Sequence, residues 1–434
     1  MSLTMNPRVA AAALAGAIAL PLALLLGGCD GSKPTGASPV SYTASAPALR
    51  PSFYGTPFER QPTPAELTEL GRKLFHETAL SASGRAACAT CHDPALAYGP
   101  PNALAVQLGG RDGRQPGLRA VPSLRYQQDT PPFSEHFSET DGNDSEDQGP
   151  TGGRDWDGRA QSAHEQAAGP LLSIVEMANE SPAAVVRQLA SSASAAAFRT
   201  TFGESVFGND EYAWKGLLLA LEVFQQSPAD FYPYDSKYDE YLRGKAQLTP
   251  AEARGLKLFN DEDKGNCASC HISAVRRGAF PQFTDRGLIA LAVPRNMKIP
   301  ANADPAWRDL GLCGPLRTDL KDHPEYCGLF KTPSLRNVAT RQVFFHNGAY
   351  GTLQDAVRFY VERDTRPARV YKRDAKGQPR RYDDLPKPYW PNVNIDPPFD
   401  RREGQPPALS EAEINDVVAF LRTLSDKDAV AGNR

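Results

Sequence analysis

The chain has 434 residues, enough for two ordinary domains with sizeable cores. Its formal net charge is −3 at pH 7 and it holds no long run of Lys and Arg, which excludes an electrostatic nucleic-acid binder. Only seven Cys and seven His are present, so their positions carry the argument.

Arg8 precedes an apolar, Ala- and Leu-rich run over 9–26 that ends Leu26-Gly27-Gly28-Cys29. Residues 1–28 read as a signal peptide whose small-residue cleavage site is followed at once by Cys. This resembles a bacterial lipoprotein signal, with Cys29 as the lipidated first residue; an ordinary secretory signal is the alternative. The expected address is the periplasm, with acyl chains on Cys29 holding the protein to a membrane surface. The run is short and rich in small residues for a membrane span. Residues 29–60, rich in Pro, Ser, Ala and Gly, read as a flexible tether.

Thr63-Pro64-Ala65-Glu66 has the Thr, Pro and acid of a helix start. The helix carries Leu74-Phe75 and leads to Cys88-Ala89-Thr90-Cys91-His92. Thr249-Pro250-Ala251-Glu252 opens a second such helix, with Leu258-Phe259, which leads to Cys267-Ala268-Ser269-Cys270-His271. C-x-x-C-H is the attachment signal of c-type haem: two thiols add to the haem vinyl groups, and the adjacent imidazole reaches the iron. One C-x-x-C could be a redox dithiol or half a zinc site; two copies, each followed by His, point to two covalent haems c. Pro-Ser-Leu-Arg also occurs twice, at 122–125 and 333–336. The pattern implies an internal duplication, with one haem domain over 61–228 and another over 229–428.

Further helices are expected from Ser181-Pro182, with Val185, Val186 and Leu189 inward, and over 212–226. The Pro- and Tyr-rich segment 228–242 reads as the crossing between halves. Ser410-Glu411-Ala412-Glu413 is a capping box that starts a closing helix. Residues 364–404 are loop-like and long for a structureless connection. Strand signals are scarce, so the fold class is mainly α. With Cys29 and the four haem thiols set aside, Cys313 and Cys327 are an even pair, expected to form a disulfide in an oxidising compartment.

These pieces together resemble the bacterial di-haem cytochrome c peroxidases and their relative MauG, over about 61–425. Trp156-Asp157-Gly158-Arg159-Ala160, Glu165-Gln166-Ala167, Gly169-Pro170 and Glu176-Met177 are similar to the family's first-haem pocket. Lys331 to Asn337, Phe345-His346-Asn347-Gly348 and Thr352-Leu353 are similar to its second-domain signature. The resemblance implies that the first haem, held by Cys88, Cys91 and His92, reacts with hydrogen peroxide. Glu176 and Gln166 would assist O–O cleavage, Pro170 would form a pocket wall, and Trp156 would relay electrons between haems. Glu176 also lies in an apolar run, Leu171 to Met177, where a carboxyl is desolvated and its pKa raised.

Many family members cap the first iron with a loop His, but no His occurs between His92 and His136, so the first haem is expected to be open without prior reduction. His76, His136, His164 and His323 are the weaker candidates for a cap. The second haem would be held by Cys267, Cys270 and His271, with His346 near it. The peroxidases place Met as its distal ligand; here Leu353, Ala356, Val357 and Tyr360 share one helical face, so Tyr360 is the expected ligand, as in MauG. Met297 is the rival. The family's calcium site uses an Asn where Tyr126 stands here, so calcium stays an open expectation that Tyr126 weakens. MauG's electron-exit Trp is matched by Gly265, which leaves Trp307 or Trp390 as exits.

The implied function is oxidation of a remote residue, a Trp, of a partner protein by a high-valent di-haem state. The subgroup resembled is MbnH, whose partner protein is MbnP. The alternatives are a peroxidase fed by a small electron-carrier protein, and a di-haem electron carrier with both irons six-coordinate.

Overall fold

The computed structural model describes residues 52–137, 147–276 and 278–431. The expected signal peptide, Cys29 and most of the expected tether lie outside them.

Both Thr-Pro helix starts form as read. Helix α1, Pro64–Phe75, and helix α5, Pro250–Asn260, each begin with a reciprocal capping box, Thr63 with Glu66 and Thr249 with Glu252. Between them run α2, Ala163–Leu172, α3, Pro182–Ala190, and α4, Asp210–Gln225. After them come α6, Leu353–Glu362, and α7, Glu411–Arg422, the latter opened by Ser410 with Glu413. Strand is confined among the described residues to two antiparallel pairs of two residues: β1, Leu108–Gly109, with β2, Gln115–Pro116, and β3, Leu288–Ile289, with β4, Phe330–Lys331. The fold is mainly helical, as expected, and the Cys313–Cys327 disulfide is present.

The described residues fall in one compact unit with two main hydrophobic clusters. The first gathers Leu74, Phe198, Leu217 and Phe224 around the α1–α4 crossing. The second gathers Phe259, Phe283, Val417 and Phe420 around the α5–α7 crossing. Each crossing is closed by a glycine. A Cβ on Gly71 would lie 2.0 Å from the Ala220 carbonyl oxygen, and one on Gly255 2.0 Å from that of Asp416. No other residue type permits these backbone approaches.

The Pro-Ser-Leu-Arg segments repeat the same contacts. Ser123 Oγ donates to Ala97 O and Ser334 Oγ to Gln282 O, both at 2.7 Å. Arg336, 1% exposed, forms a two-pronged pair with fully buried Asp239 at 2.9 Å. Arg125, equally buried, pairs with Asp426 at 2.9 Å. Breaking one such buried pair costs on the order of 3–5 kcal/mol, because the other charge is left unpaired in the interior. Tyr126, where an Asn would serve calcium, instead donates its hydroxyl to Asp426 at 2.6 Å, and Asn337 donates to the same carboxylate at 2.7 Å.

One boundary differs from expectation. Residues 52–60 were expected to belong to the tether, yet Phe53 stacks on His164 at 3.6 Å and Arg60 pairs with Glu66. Composition hides this, because three aromatic side chains, Phe53, Tyr54 and Phe58, and an arginine hold down a segment otherwise coloured by Pro and Gly.

Candidate functional site

Cys88–Cys91 is a single helical turn, and the His92 backbone N–H donates to Cys88 O at 2.9 Å. The His92 Nδ1 lies 3.0 Å from the Tyr98 carbonyl oxygen. A carbonyl only accepts, so Nδ1 carries the hydrogen and Nε2 keeps its lone pair for a metal. Burial holds this imidazole down to about 4, so it is neutral. The second motif repeats the geometry: His271 N–H donates to Cys267 O at 2.8 Å, and Nδ1 lies 2.9 Å from Phe283 O. Burial lowers His271 as well. Tyr98 and Phe283, which supply the carbonyls, both sit at positive φ, 54° and 55°. That strain costs on the order of 1–3 kcal/mol at a bulky residue, and both halves bear it.

The four motif cysteines are not in disulfides. Burial pushes Cys88 and Cys267 up to about 12 and Cys91 and Cys270 up to about 11, so all four are neutral thiols while nothing is bound to them. A second feature fits haem. The half-buried Arg341 guanidinium, held down to about 10 by the protein packed around it, bonds only to the Val121 and Val343 carbonyls and has no carboxylate partner among the described residues. It lines the same cavity as the second motif, where a haem propionate would supply the missing negative charge. Unbridged thiols, imidazoles with a free Nε2 and a half-buried cation without a carboxylate partner fit two haems c. Cys88, Cys91 and His92 would hold the first, and Cys267, Cys270 and His271 the second.

Near the first motif, α2 carries Gln166 and, in its interior, Pro170. The Pro170 carbonyl accepts the Met177 N–H at 3.1 Å, which folds the 173–178 turn back on the helix. The Asn179 amide fastens that turn to Leu80 O at 2.8 Å, on the segment leading to the first motif. The Glu176 residue surface is open to the space beside Cys88 and Cys91, yet protein crowds its carboxyl closely, and burial raises its pKa. Loop 98–120, which contains no His, packs on this turn through its backbone. Gly110 N–H donates to Glu176 O at 2.7 Å, and a Cβ on Gly109 would lie 2.4 Å from Val175 O. That close seat was not legible from the glycines alone.

A cavity of about 580 Å³ runs from Cys267, Cys270 and His271 to Trp156 and Gln166. The expected α6 face lines it: Leu353, Ala356, Val357 and Tyr360 all border this space. Burial beside the Cys270 and Cys267 thiols raises the Tyr360 phenol, so it ionises only if a metal takes its oxygen. The rival, Met297, is 51% exposed and borders no part of this cavity. His346 also lines it, stacked on Phe330 at 3.5 Å and held down to about 4 by burial. Cys88, Cys91, His92, Pro170 and Glu176 lie outside this cavity, around the first motif.

Trp156 stands where the two halves meet. Its indole N–H donates to Ala120 O at 2.8 Å, and its carbonyl accepts from Lys331 N–H at 2.8 Å. Next to it, fully buried Asp157 and largely buried Asp309 both bind Arg119, at 2.7 and 2.6 Å, which ties loop 98–120 to the second half. Sequence reasoning passed over Arg119, Asp309 and Arg341, and it quoted Lys331 only as part of the second-domain signature, without its burial, which lowers the ammonium to about 7. Only the apolar setting of Lys331 beside Phe330 hinted at it.

A family model described as di-haem cytochrome c peroxidase matches residues 65–247. The methylamine utilization protein MauG of Paracoccus denitrificans is 33% identical over 383 residues, covering 86% of this chain and 92% of its own length. The chain belongs to the di-haem cytochrome c peroxidase and MauG family. Cytochrome c551 peroxidase of Nitrosomonas europaea is 29% identical, over 68% of this chain and 73% of that protein. Among solved structures, the diheme peroxidase BthA from Burkholderia thailandensis E264 superposes with a TM-score of 0.74 at 39% identity, covering 87% of this chain and 90% of BthA. A MauG-like protein associated with microbial copper homeostasis shares the fold, with a TM-score of 0.57 at 23% identity over 86% of this chain and 94% of its own. Membership makes this chain an oxidoreductase of a di-haem family. In both halves, the thiols and imidazoles described above are the groups such a family member would use. No helix among the described residues is long and apolar enough to cross a membrane.

Proposed function

We propose that this chain uses hydrogen peroxide to oxidise a residue, of the Trp class, on a partner protein at a distance from the peroxide pocket. The observation that carries this reading is Tyr360, half-buried on the cavity face of α6 beside Cys270 and Cys267. A phenolate is an anionic, hard donor that lowers a haem potential and suits storage of oxidising charge better than uptake of electrons at high potential. Haem, when bound, would supply the two-electron redox chemistry that links peroxide to the substrate. The protein's own groups do the rest. Glu176 takes a proton from one peroxide oxygen and returns it to the other, which departs as water; the two electrons from the substrate and two further protons from solvent then complete the reduction of one peroxide to two waters. Gln166 orients the peroxide, and Pro170 holds the turn that carries Glu176. Trp156, fixed at both its indole and its carbonyl, lies between the two centres as the relay. His92, His271 and Tyr360 are the metal ligands in this reading.

The repeated helix starts, glycine crossings and Pro-Ser-Leu-Arg contacts favour two duplicated domains, 61–228 and 229–428. The sequence over 9–29 favours a periplasmic protein anchored through Cys29. A peroxidase fed by a small redox protein is the second reading, favoured by the 39% identity to a chain named a diheme peroxidase.

Peroxide added to the ferric protein, with no reductant, is expected to give a lasting change in the haem absorption bands. A protein that responds only after prior reduction contradicts the open first site. Sustained consumption of peroxide with a reduced small cytochrome moves the assignment to the second reading.

A further inference from the structure

The oxidising equivalents need a way from the cavity to the surface, and segment 364–404 holds a row of rings that leads there. Tyr371 is 3% exposed and donates its hydroxyl at 2.7 Å to the carbonyl of Ala292, a residue of the cavity wall. Its ring lies 5.9 Å from that of Tyr382, at 82°. The Tyr382 ring lies 5.4 Å from that of Trp390, at 86°. Trp390 is half-buried, next to exposed Lys387 and Pro388. Its indole N–H donates at 2.9 Å to the carbonyl of Leu385, a second residue of the cavity wall. The row thus starts and ends within one hydrogen bond of the cavity lining, yet its last ring reaches solvent.

We propose that Tyr371, Tyr382 and Trp390 form the route by which electrons enter from a macromolecular donor or substrate at the surface. This rests on the peroxide-driven reading above and supplies the exit that the sequence left between Trp307 and Trp390.

The proton has a place to go. Tyr382 donates its hydroxyl to Asp364 Oδ1 at 3.1 Å, while the other carboxylate oxygen of Asp364 is held by Arg363 at 2.6 Å. A phenol that loses an electron becomes a strong acid, so even a carboxylate paired with Arg accepts its proton. The sequence of transfers balances. Tyr382 gives one electron toward the cavity and its phenolic proton to Asp364. Trp390 then returns an electron to Tyr382, which recovers the proton, and the surface donor gives one electron to Trp390. Two such passes deliver the two electrons that, with two protons, reduce one hydrogen peroxide to two waters. Arg363, fully buried, lies 3.8 Å over Phe399 and 5.7 Å over Tyr382, which holds Asp364 and the ring in register.

The test uses the di-haem protein treated with hydrogen peroxide in the absence of any donor, followed by peptide mapping of oxygenated side chains. Oxygenation is expected to concentrate on Trp390 and Tyr382 rather than on Trp214 or Trp307. In Tyr382→Phe, oxygenation of Trp390 is expected to fall several-fold, and Asp364→Asn gives a smaller fall in the same direction. The haem absorption change on adding peroxide is the separate check. If that change occurs but Trp390 is no more oxygenated than Trp214 and Trp307, or Tyr382→Phe leaves Trp390 oxygenation unaltered, the route is overturned while the peroxide-driven reading stands. If wild-type protein shows no absorption change at all, both fail together.

Discussion

Glu176→Gln is expected to slow the reaction with peroxide by about 10²–10⁴-fold, the range lost when a general acid–base group is removed. The substitution keeps size and hydrogen-bonding capacity and removes only the ionisable proton. The pH dependence gives a second signature. Burial favours the neutral form of this carboxyl and so raises its pKa above the ordinary carboxylate value. The ionised form is the one that takes a proton from peroxide. The wild-type rate therefore climbs as pH rises through that raised pKa and falls as pH drops below it, and the Gln variant loses this limb. Stopped-flow absorption at a series of pH values measures both. A variant that keeps the wild-type rate and the same acid limb removes Glu176 from the chemistry, and the turn tied down by Asn179 and Pro170 would then be a structural feature only.

Tyr360→Met is expected to abolish the lasting absorption change that peroxide produces, while leaving haem content at two per chain. The reasoning is chemical: a thioether is neutral and raises the potential of the iron it binds, whereas a phenolate is anionic and lowers it. The substitution also suits the space. Tyr360 borders the cavity between the Phe345 and Phe399 rings, 5.9 and 5.6 Å away, and a flexible Met fills such a gap without strain. Absorption decay after peroxide, with haem content measured on the same samples, tests this. Persistence of the oxidised state in the Met variant contradicts the role given to the phenolate.

Much of this site was legible in the sequence because its signals are local. The thiol and imidazole spacing of each motif, the Thr-Pro caps and the spacing of Leu353, Ala356, Val357 and Tyr360 along one helix are all set within a few residues. The structure forms each of those elements and puts that helical face on the cavity. The apolar run around Glu176 foretold the direction of its pKa. What escaped notice depends on partners far apart in the chain. Arg119 meets Asp157 and Asp309, Arg336 meets Asp239, and Arg125 meets Asp426 and Asp428, and no periodicity records such pairings. Phe53 stacking on His164 contradicts the compositional look of its own segment in the same way. The long segment 364–404 was legible as unusual but not as a row of rings, because Tyr371, Tyr382 and Trp390 follow neither a helical nor a strand period.

All of these expectations depend on the two metal centres being unlike: one with a free face for peroxide and one closed by the Tyr360 oxygen. Electron paramagnetic resonance of the untreated ferric protein tests that difference most directly. The account predicts two signals of comparable intensity, one high-spin from the centre held by His92 and one low-spin from the centre held by His271 and Tyr360. Two low-spin signals, with no high-spin component, would contradict it.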